Sequence, residues 1–163
     1  MRLFLIILSG FHVIGCSFTV EVPKGKAGIV INRNSSVEGR VLVHGIHNVH
    51  VDQEILLFDL DVGKIDFKFS YILNDAVSGK TEFSVRFSPV VNRLPEFYER
   101  YKSENVNAVV ESEVRSIVRQ LMQAYTSNEF RKDEMESKIK HELKNHGLCK
   151  FVNLEITSSI VFE

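Results

Sequence analysis

The stretch "KIDFKFSYILNDAVSGKTEFSVRF", residues 64–87, alternates apolar and polar side chains on both sides of a segment that contains turn-forming residues. Every second residue of its first part is apolar: Ile65, Phe67, Phe69, Tyr71 and Leu73. The same spacing recurs in its last part, at Phe83, Val85 and Phe87. A period of two is typical of a strand with one buried face, and Asn, Asp and Gly in residues 74–80 favour a tight turn. The stretch predicts an antiparallel hairpin with one apolar face.

The residues before this hairpin also have the composition of strands. "AGIVINR", residues 27–33, and "VLVHGIHNVHV", residues 41–51, are rich in β-branched side chains, which favour strands. The turn-like "NSSVEG", residues 34–39, separates them. We therefore expect short β elements to dominate up to about residue 91.

The residues after the hairpin change to a helical period. Pro95 suits the first turn of a helix through "EFYERYKSE", residues 96–104. From Asn107 onwards a second helix is predicted by an apolar stripe at three- and four-residue spacing: Val110, Val114, Ile117, Val118, Leu121, Met122 and Tyr125. The second helix is expected to lie against the sheet.

A third helix and a last strand complete the chain. Thr126 and Glu129 have the spacing of a capping box, which predicts that a helix restarts at once and runs to Gly147. The mixed charges of "RKDEMESKIKHELK", residues 131–144, indicate a solvated or partner-facing surface on that helix. "VNLEIT", residues 152–157, alternates again and is expected to return to the sheet. Strands, then two or three helices, then a C-terminal strand indicate an α+β fold with a mostly antiparallel sheet.

The N-terminal residues 3–15 are apolar and follow a single cation, Arg2. Thirteen helical residues reach only about 20 Å of a roughly 30 Å hydrocarbon core, so the segment reads as a secretory signal that is removed. "VIGC", residues 13–16, resembles the bacterial lipobox, in which the cysteine is lipidated and becomes the first mature residue. We therefore predict a lipoprotein signal peptide at residues 1–15, lipidation of Cys16 and a short tether at residues 16–21. An uncleaved, tilted anchor through residues 3–22 is the alternative.

The composition of the chain excludes some classes of function. The 163 residues carry a formal net charge of −1 without a basic block, which argues against a nucleic-acid partner. If Cys16 carries lipid, Cys149 has no cysteine with which to form an intramolecular disulfide, and a buried, inert thiol is expected. The 148 residues after position 15 are enough for one domain with one core.

Several stretches, in this order, resemble the SPFH or Band 7 family, the prohibitin homology domain of stomatins, prohibitins and flotillins. They are "VPKGKAGIVIN" (22–32), "VLVHGIHNV" (41–49, with Gly45 and His47), "LPEFYERY" (94–101), "VESEVRSIVRQLMQAYTSNEF" (110–130, with Arg115 and Arg119) and "GLCKFVNLEITSSIVF" (147–162). The resemblance covers nearly all of residues 22–162 and places the SPFH domain at residues 22–163.

The resemblance implies a membrane-tethered scaffold that self-associates or that organises or regulates membrane proteins such as proteases and channels. It implies no enzyme activity and no cofactor. The lipid on Cys16 would hold the protein at a membrane, on the periplasmic or cell-surface side of a bacterium. Family members usually continue into a long Ala- and Glu-rich helix that drives ring assembly. The sequence given contains no such heptads, so weaker contact between SPFH domains, and a possible homo-oligomer, are expected.

Residues with catalytic or metal-binding chemistry are few. His44, His47 and His50 invite a metal site, but strand geometry turns His47 away from the other two. The alternative function is therefore an exported solute- or metal-binding lipoprotein that uses this histidine region. Asp59 and Asp61 are expected to lie on a solvated strand face, and His146 with Cys149 makes a poor metal pair. No catalytic residue and no metal ligand is assigned.

Overall fold

The computed structural model describes residues 17–34 and 36–162, which form nine strands and three α-helices. The first five strands are β1 (Ser17–Val22), β2 (Lys26–Asn32), β3 (Val37–Leu42), β4 (Gly45–His50) and β5 (Gln53–Asp59). The remaining strands are β6 (Gly63–Ile72), β7 (Ser78–Pro89), β8 (Val152–Ile156) and β9 (Val161–Phe162). The helices α1 (Leu94–Tyr101), α2 (Val106–Gln123) and α3 (Lys132–Asn145) lie between β7 and β8. The α+β prediction is confirmed.

The predicted hairpin is the pair of β6 and β7, in which Phe67 lies opposite Phe83 and Lys68 opposite Glu82. The apolar residues face the helices, and the outer face is charged and solvated. The turn lies between Leu73 and Val77, where Ala76 adopts a positive φ of 64°. Gly79, which we expected to form part of the turn, pairs with Tyr71 within the hairpin strands and lies outside the turn.

The strand β2 is buried on both faces, which explains its continuous apolar run. It lies between β3 and β5 in one three-stranded sheet, and β1 with β4 forms a second sheet. On one side Ala27, Ile29 and Ile31 join the main core, which also contains the inner faces of β6 and β7 and the three helices. On the other side Val30 joins a small core with Val22, Leu42 and Val49.

Residues 17–21, which we expected to form a tether, belong to the strand β1. Ser17 pairs with His50, and Val22 pairs with Gly45. The alternation of "SFTVEV" is short, and its partner strand is more than twenty residues away. The local sequence therefore does not predict that β1 pairs with β4.

The helix α1 begins with Pro95 in its first turn, as predicted, and α2 begins one residue before Asn107, capped by the Asn105 side chain. The third helix does not restart at Thr126. The Glu129 carboxylate accepts a hydrogen bond from the Thr126 backbone N–H at 3.2 Å, as in a capping box, but the Thr126 hydroxyl donates to the same carboxylate at 2.9 Å, and both bonds lie within a turn. Phe130 then packs against Tyr71 and Phe162, so the chain completes this aromatic contact before α3 starts at Lys132.

The last strands pair with β7, as expected for the C-terminal segment. Val152 lies opposite Pro89 in β8, and Phe162 lies opposite Thr81 in β9. The third sheet therefore has the order β6, β7, β8, with β9 beside β8 on the same edge of β7. The outer edge of β8 pairs with no other strand in the described part of the chain.

Candidate membrane-tether and partner-binding sites

Cys16, the predicted lipidation site, lies outside the described residues. The next residue, Ser17, already pairs with His50 in the sheet of β1 and β4. A group attached to Cys16 would therefore be separated from a hydrogen-bonded strand by a single peptide bond, without a flexible linker. None of the helices in residues 17–34 and 36–162 has the length and apolar character that a membrane crossing needs.

The three histidines of "HGIHNVH" make separate contacts. His44 Nδ1 lies 3.1 Å from the Val22 carbonyl oxygen, and His47 Nε2 lies 2.6 Å from the Val43 carbonyl oxygen. His50 Nδ1 lies 3.4 Å from Asp52. No group of three or more potential ligand side chains that could hold a metal ion occurs among the residues that the structure describes. The geometry gives the alternative of a metal-binding lipoprotein no support.

Asp59 and Asp61 line an open cleft of about 510 Å³ beside the N-terminus of α2. Asp59 pairs with Lys26 at 3.0 Å, and Glu104 adds a third carboxylate to the lining. The cleft also exposes Val62 and is lined by Asn105 and Asn107. This surface is solvated and acidic, as predicted for the two aspartates, but Asp61 lies in the bend between β5 and β6 and not on the strand face expected for it.

Cys149 is partly buried, and its thiol donates a hydrogen bond to the Leu143 carbonyl oxygen at 2.8 Å. Burial raises the pKa of this thiol above its usual value. Because the thiolate is the reactive form, Cys149 is a poor nucleophile near neutral pH. Its neighbour His146 accepts a hydrogen bond from the Leu148 backbone and lies 3.7 Å from Glu113, so the two side chains play separate structural parts.

Arg115, one of the residues behind the family resemblance, packs against the hairpin. Its guanidinium lies 5.6 Å from the Phe67 ring centroid and 5.3 Å from the Phe69 ring centroid. It also donates to Glu111, one turn earlier in α2, at 2.9 Å. The contact fastens α2 to β6 through cation–π attraction, so this arginine stabilises the fold.

The charged face of α3 carries ion pairs between residues one helical turn apart, as its mixed charges indicated. Lys138 pairs with Glu134 at 2.5 Å, and Lys140 pairs with Glu136 at 2.6 Å. The neighbouring ion pair and the Tyr125 hydroxyl raise the pKa of Lys138 above its usual value. Such exposed pairs contribute little to stability, because water and salt screen the two charges.

A groove of about 230 Å³ lies between α3 and the outer edge of β8, which pairs with no further strand within residues 17–34 and 36–162. Its floor is apolar, and two lysines stand on its helical side; the lining is Val85, Lys140, Leu143, Lys144, Leu154, Glu155 and Ile156. A free strand edge beside an apolar groove can accept an extended segment by strand addition. The sequence analysis did not predict this groove. The alternation of Leu154 and Ile156 predicted a strand, and both side chains line the groove, but the sequence did not indicate that α3 would lie beside them.

A family model, the SPFH domain or Band 7 family, matches residues 20–157. No curated protein matches the chain. The match contains the first four stretches that carried the resemblance and the fifth as far as residue 157. On this match, over most of the chain, the protein belongs to the SPFH/Band 7 family.

Proposed function

We propose that this protein is a lipid-tethered SPFH scaffold that gathers copies of itself or other membrane proteins and regulates them. The family match supports the general role, since SPFH proteins are membrane-associated and are generally non-enzymatic scaffolds. The finer parts of the proposal are the lipid on Cys16, the periplasmic or cell-surface location and the protein partners.

The observation that carries the tether is the position of Cys16 directly before a paired strand. The lipobox-like "VIGC" supplies a cysteine for lipidation, and Ser17 is held opposite His50. Several acyl chains at about 0.8 kcal/mol per buried methylene hold a protein far more firmly than one chain. A domain confined to a surface in this way meets its neighbours at a raised local concentration, which favours weak contacts between domains.

Substitution of the two cysteines tests the tether. Cys16→Ser is expected to move the protein from the membrane fraction to the soluble fraction, or to leave the signal peptide uncut. Cys149→Ser is the matched control and is expected to fractionate as the natural protein does. The lipid proposal would be contradicted if Cys16→Ser stayed in the membrane fraction and if its mature form differed in mass from the natural mature protein only by the substituted side chain.

Crosslinking in intact cells, followed by mass spectrometry, tests the scaffold role. We expect crosslinks between copies of the chain or to membrane proteins, and their loss in Cys16→Ser, because the surface concentration is then gone. A chain that stays monomeric and uncrosslinked in the membrane fraction would contradict the scaffold role and leave the tether standing.

A further inference from the structure

The outer edge of β8 presents backbone hydrogen-bonding groups at alternate residues. On the inner edge, the Phe151 carbonyl oxygen and the Thr157 N–H each bond to the β7 side, at 2.8 and 3.0 Å. In an antiparallel pair, residues that bond to one neighbour alternate with residues whose backbone groups face the other side. Leu154 and Ile156 lie an odd number of residues from both, so their N–H and C=O groups point to the outer edge. No strand of residues 17–34 and 36–162 pairs with them there.

The sequence of β8, "VNLEI", has none of the usual features that protect an exposed strand edge. Proline, lysine and β-bulges hinder the addition of a further strand. The register of β8 against β7 runs without a shift from Val152 to Ile156. By contrast, β3, on the outside of its own sheet, contains Gly39 and pairs with β2 through a shift in register. The edge of β8 is therefore open to a further strand.

The side chains beside this edge form the groove next to α3, which we call the β8 groove. We define it by Leu143, Lys140 and Lys144 of α3 and by Leu154 and Ile156 of β8. Leu143 is buried, whereas Leu154 and Ile156 are only partly covered. Successive side chains of a strand alternate between the two faces of a sheet. A strand added beside β8 would therefore place every second side chain in the groove and complete this burial.

The charge of the β8 groove is positive. Lys140 and Lys144 are exposed and lie one helical turn apart on α3. Lys140 pairs with Glu136, whereas Lys144 forms no ion pair with any residue in the described ranges. Glu155 also belongs to the lining, but the alternation of the strand turns it to the other face of β8, across from Arg86. Lys144 thus leaves a cation for a partner to neutralise beside an open strand edge.

We infer that the β8 groove binds an extended apolar segment of another protein as an additional strand, with a carboxylate of that segment at Lys144. The backbone of the segment bonds to the outward N–H and C=O groups of Leu154 and Ile156, as in other cases of strand addition. Its alternate apolar side chains fill the groove, and its carboxylate selects the partner by charge. This inference names a class of partner for the scaffold and rests on that proposed function for its biological setting.

Two other occupants fit these observations less well. A second copy paired edge to edge through β8 would bring Lys140 and Lys144 of both copies to the same face of the joined sheet. Like charges placed together across paired strands repel. An acyl chain would fill the apolar floor but would use none of the backbone groups at the outer edge. The backbone edge and the lysines together therefore favour an acidic polypeptide.

A pair of synthetic peptides tests the charge of the partner. One peptide alternates valine with threonine, ends in glutamates and carries a fluorophore, and the control peptide ends in lysines instead. Binding to the full chain, purified from membranes in detergent, is measured by fluorescence anisotropy. We expect the glutamate peptide to bind at least about fivefold more tightly, because the lysine peptide replaces an attraction by a repulsion.

A charge reversal at Lys144 tests the position of the carboxylate. Lys144→Glu should weaken binding of the glutamate peptide by about fivefold and strengthen binding of the lysine peptide. Lys150→Glu is the matched control, because Lys150 is exposed and is not part of the groove lining. It should bind both peptides as the natural chain does. Equal effects of the two variants would mean that net charge alone matters and would overturn the assignment to the groove.

Hydrogen exchange at single amides tests the strand addition itself. The amides of Leu154 and Ile156 should exchange roughly tenfold more slowly with the glutamate peptide bound, because each faces the outer edge. Those of Asn153 and Glu155 face β7 and should change little. Leu154→Pro removes one outward N–H and should bind about fivefold more weakly than Leu154→Ala, which keeps it. A peptide methylated at alternate backbone nitrogens should not bind, and this test leaves the chain unaltered.

The outcomes separate this inference from the proposed function. Failure of the glutamate peptide to bind overturns the inference and leaves the tether and the scaffold role standing. Binding without protection at Leu154 and Ile156 overturns the strand addition, and equal binding of both peptides overturns the acidic partner. Protection of the same amides by dimers without peptide assigns the edge to a second copy and overturns the inference. The purified chain in detergent needs neither tether nor crosslinks, so the cell experiments above test the proposed function separately.

Discussion

The main core and the small core differ in how much of the fold each one holds. The main core joins the inner face of the β6–β7 hairpin to three helices and contains stacked rings such as Phe67 and Phe83, 5.0 Å apart. The small core, among the described residues, consists of Val22, Val30, Leu42 and Val49, with Val20 and Ile55 packed against it. Both depend on the doubly buried strand β2. Because fewer side chains are buried in the small core, the sheet of β1 and β4 is a lightly held layer, and this layer is the part next to the proposed lipid.

The largest expected effect comes from opening a cavity in the main core. Phe67→Ala should lower the free energy of unfolding by about 3–5 kcal/mol, since a fully buried ring is lost. The ring contact of Arg115 disappears with it. Urea unfolding of the purified chain measures the change. Ile72→Ala on the exposed outer face of the same strand is the control, with an expected change within about 0.5 kcal/mol.

The equivalent change in the small core should be smaller and more local. Val49→Ala removes two methyl groups from a nearly fully buried position and is expected to cost about 1–2 kcal/mol. Hydrogen exchange should then rise in β1 and β4 while β6 and β7 keep their protection, because local opening follows the least buried contacts.

Ile46→Ala on the same strand is the control, since that side chain is exposed. Equal loss of protection throughout the chain in Val49→Ala would show that the two cores unfold as one unit. The distinction between a lightly held layer and a main core would then be wrong.

A stabilising change is expected at Thr81, on the inner face of β7. Its side chain is fully buried, and its hydroxyl has no hydrogen-bond partner in the described part of the chain. Thr81→Val keeps the shape and removes the unsatisfied hydroxyl, which should add about 1 kcal/mol of stability. Thr81→Ser keeps the hydroxyl and should not stabilise. Thermal unfolding measures the melting temperatures of both variants against that of the natural protein. A lower melting temperature for Thr81→Val would show that the hydroxyl has a hydrogen-bond partner.

The smallest expected effect concerns the hairpin turn. Ala76 has a φ of 64°, where a side chain is strained and glycine is not. Ala76→Gly should therefore stabilise by about 0.5–1 kcal/mol after the entropic cost of glycine is subtracted. Val77→Gly, at a neighbour without a positive φ, should destabilise. A lower melting temperature for Ala76→Gly would contradict the strain at this position.

The α+β class, the hairpin, the first two helices and the return of the last strand could be predicted from the sequence, because each has a regular local period. The alternation through Phe67 and Phe69 and the stripe through Val110 and Val114 are such periods. The start of α3 could not be predicted, because Thr126 and Glu129 form only one of the two capping-box hydrogen bonds, in a turn that no helix follows directly.

Contacts between distant residues account for the rest. The strand β1 depends on β4, whose Gly45 and His50 lie far along the chain from Val22 and Ser17. The groove beside β8 arises only when α3 and the last strand come together, and no short motif encodes that approach. The three-residue spacing of His44, His47 and His50 suggested a metal site as an alternative. In the fold, each of the three rings contacts a different neighbour.

The covalent state of Cys16 underlies the proposed tether, and the two cysteines of the chain allow it to be read directly. Intact mass and thiol titration in denaturant, on protein extracted from bacterial membranes, measure that state. We expect one titratable thiol, Cys149, and a mass that corresponds to residues 16–163 plus a diacylglyceryl group and attached acyl chains. Two titratable thiols with an unmodified polypeptide mass would contradict the lipid tether.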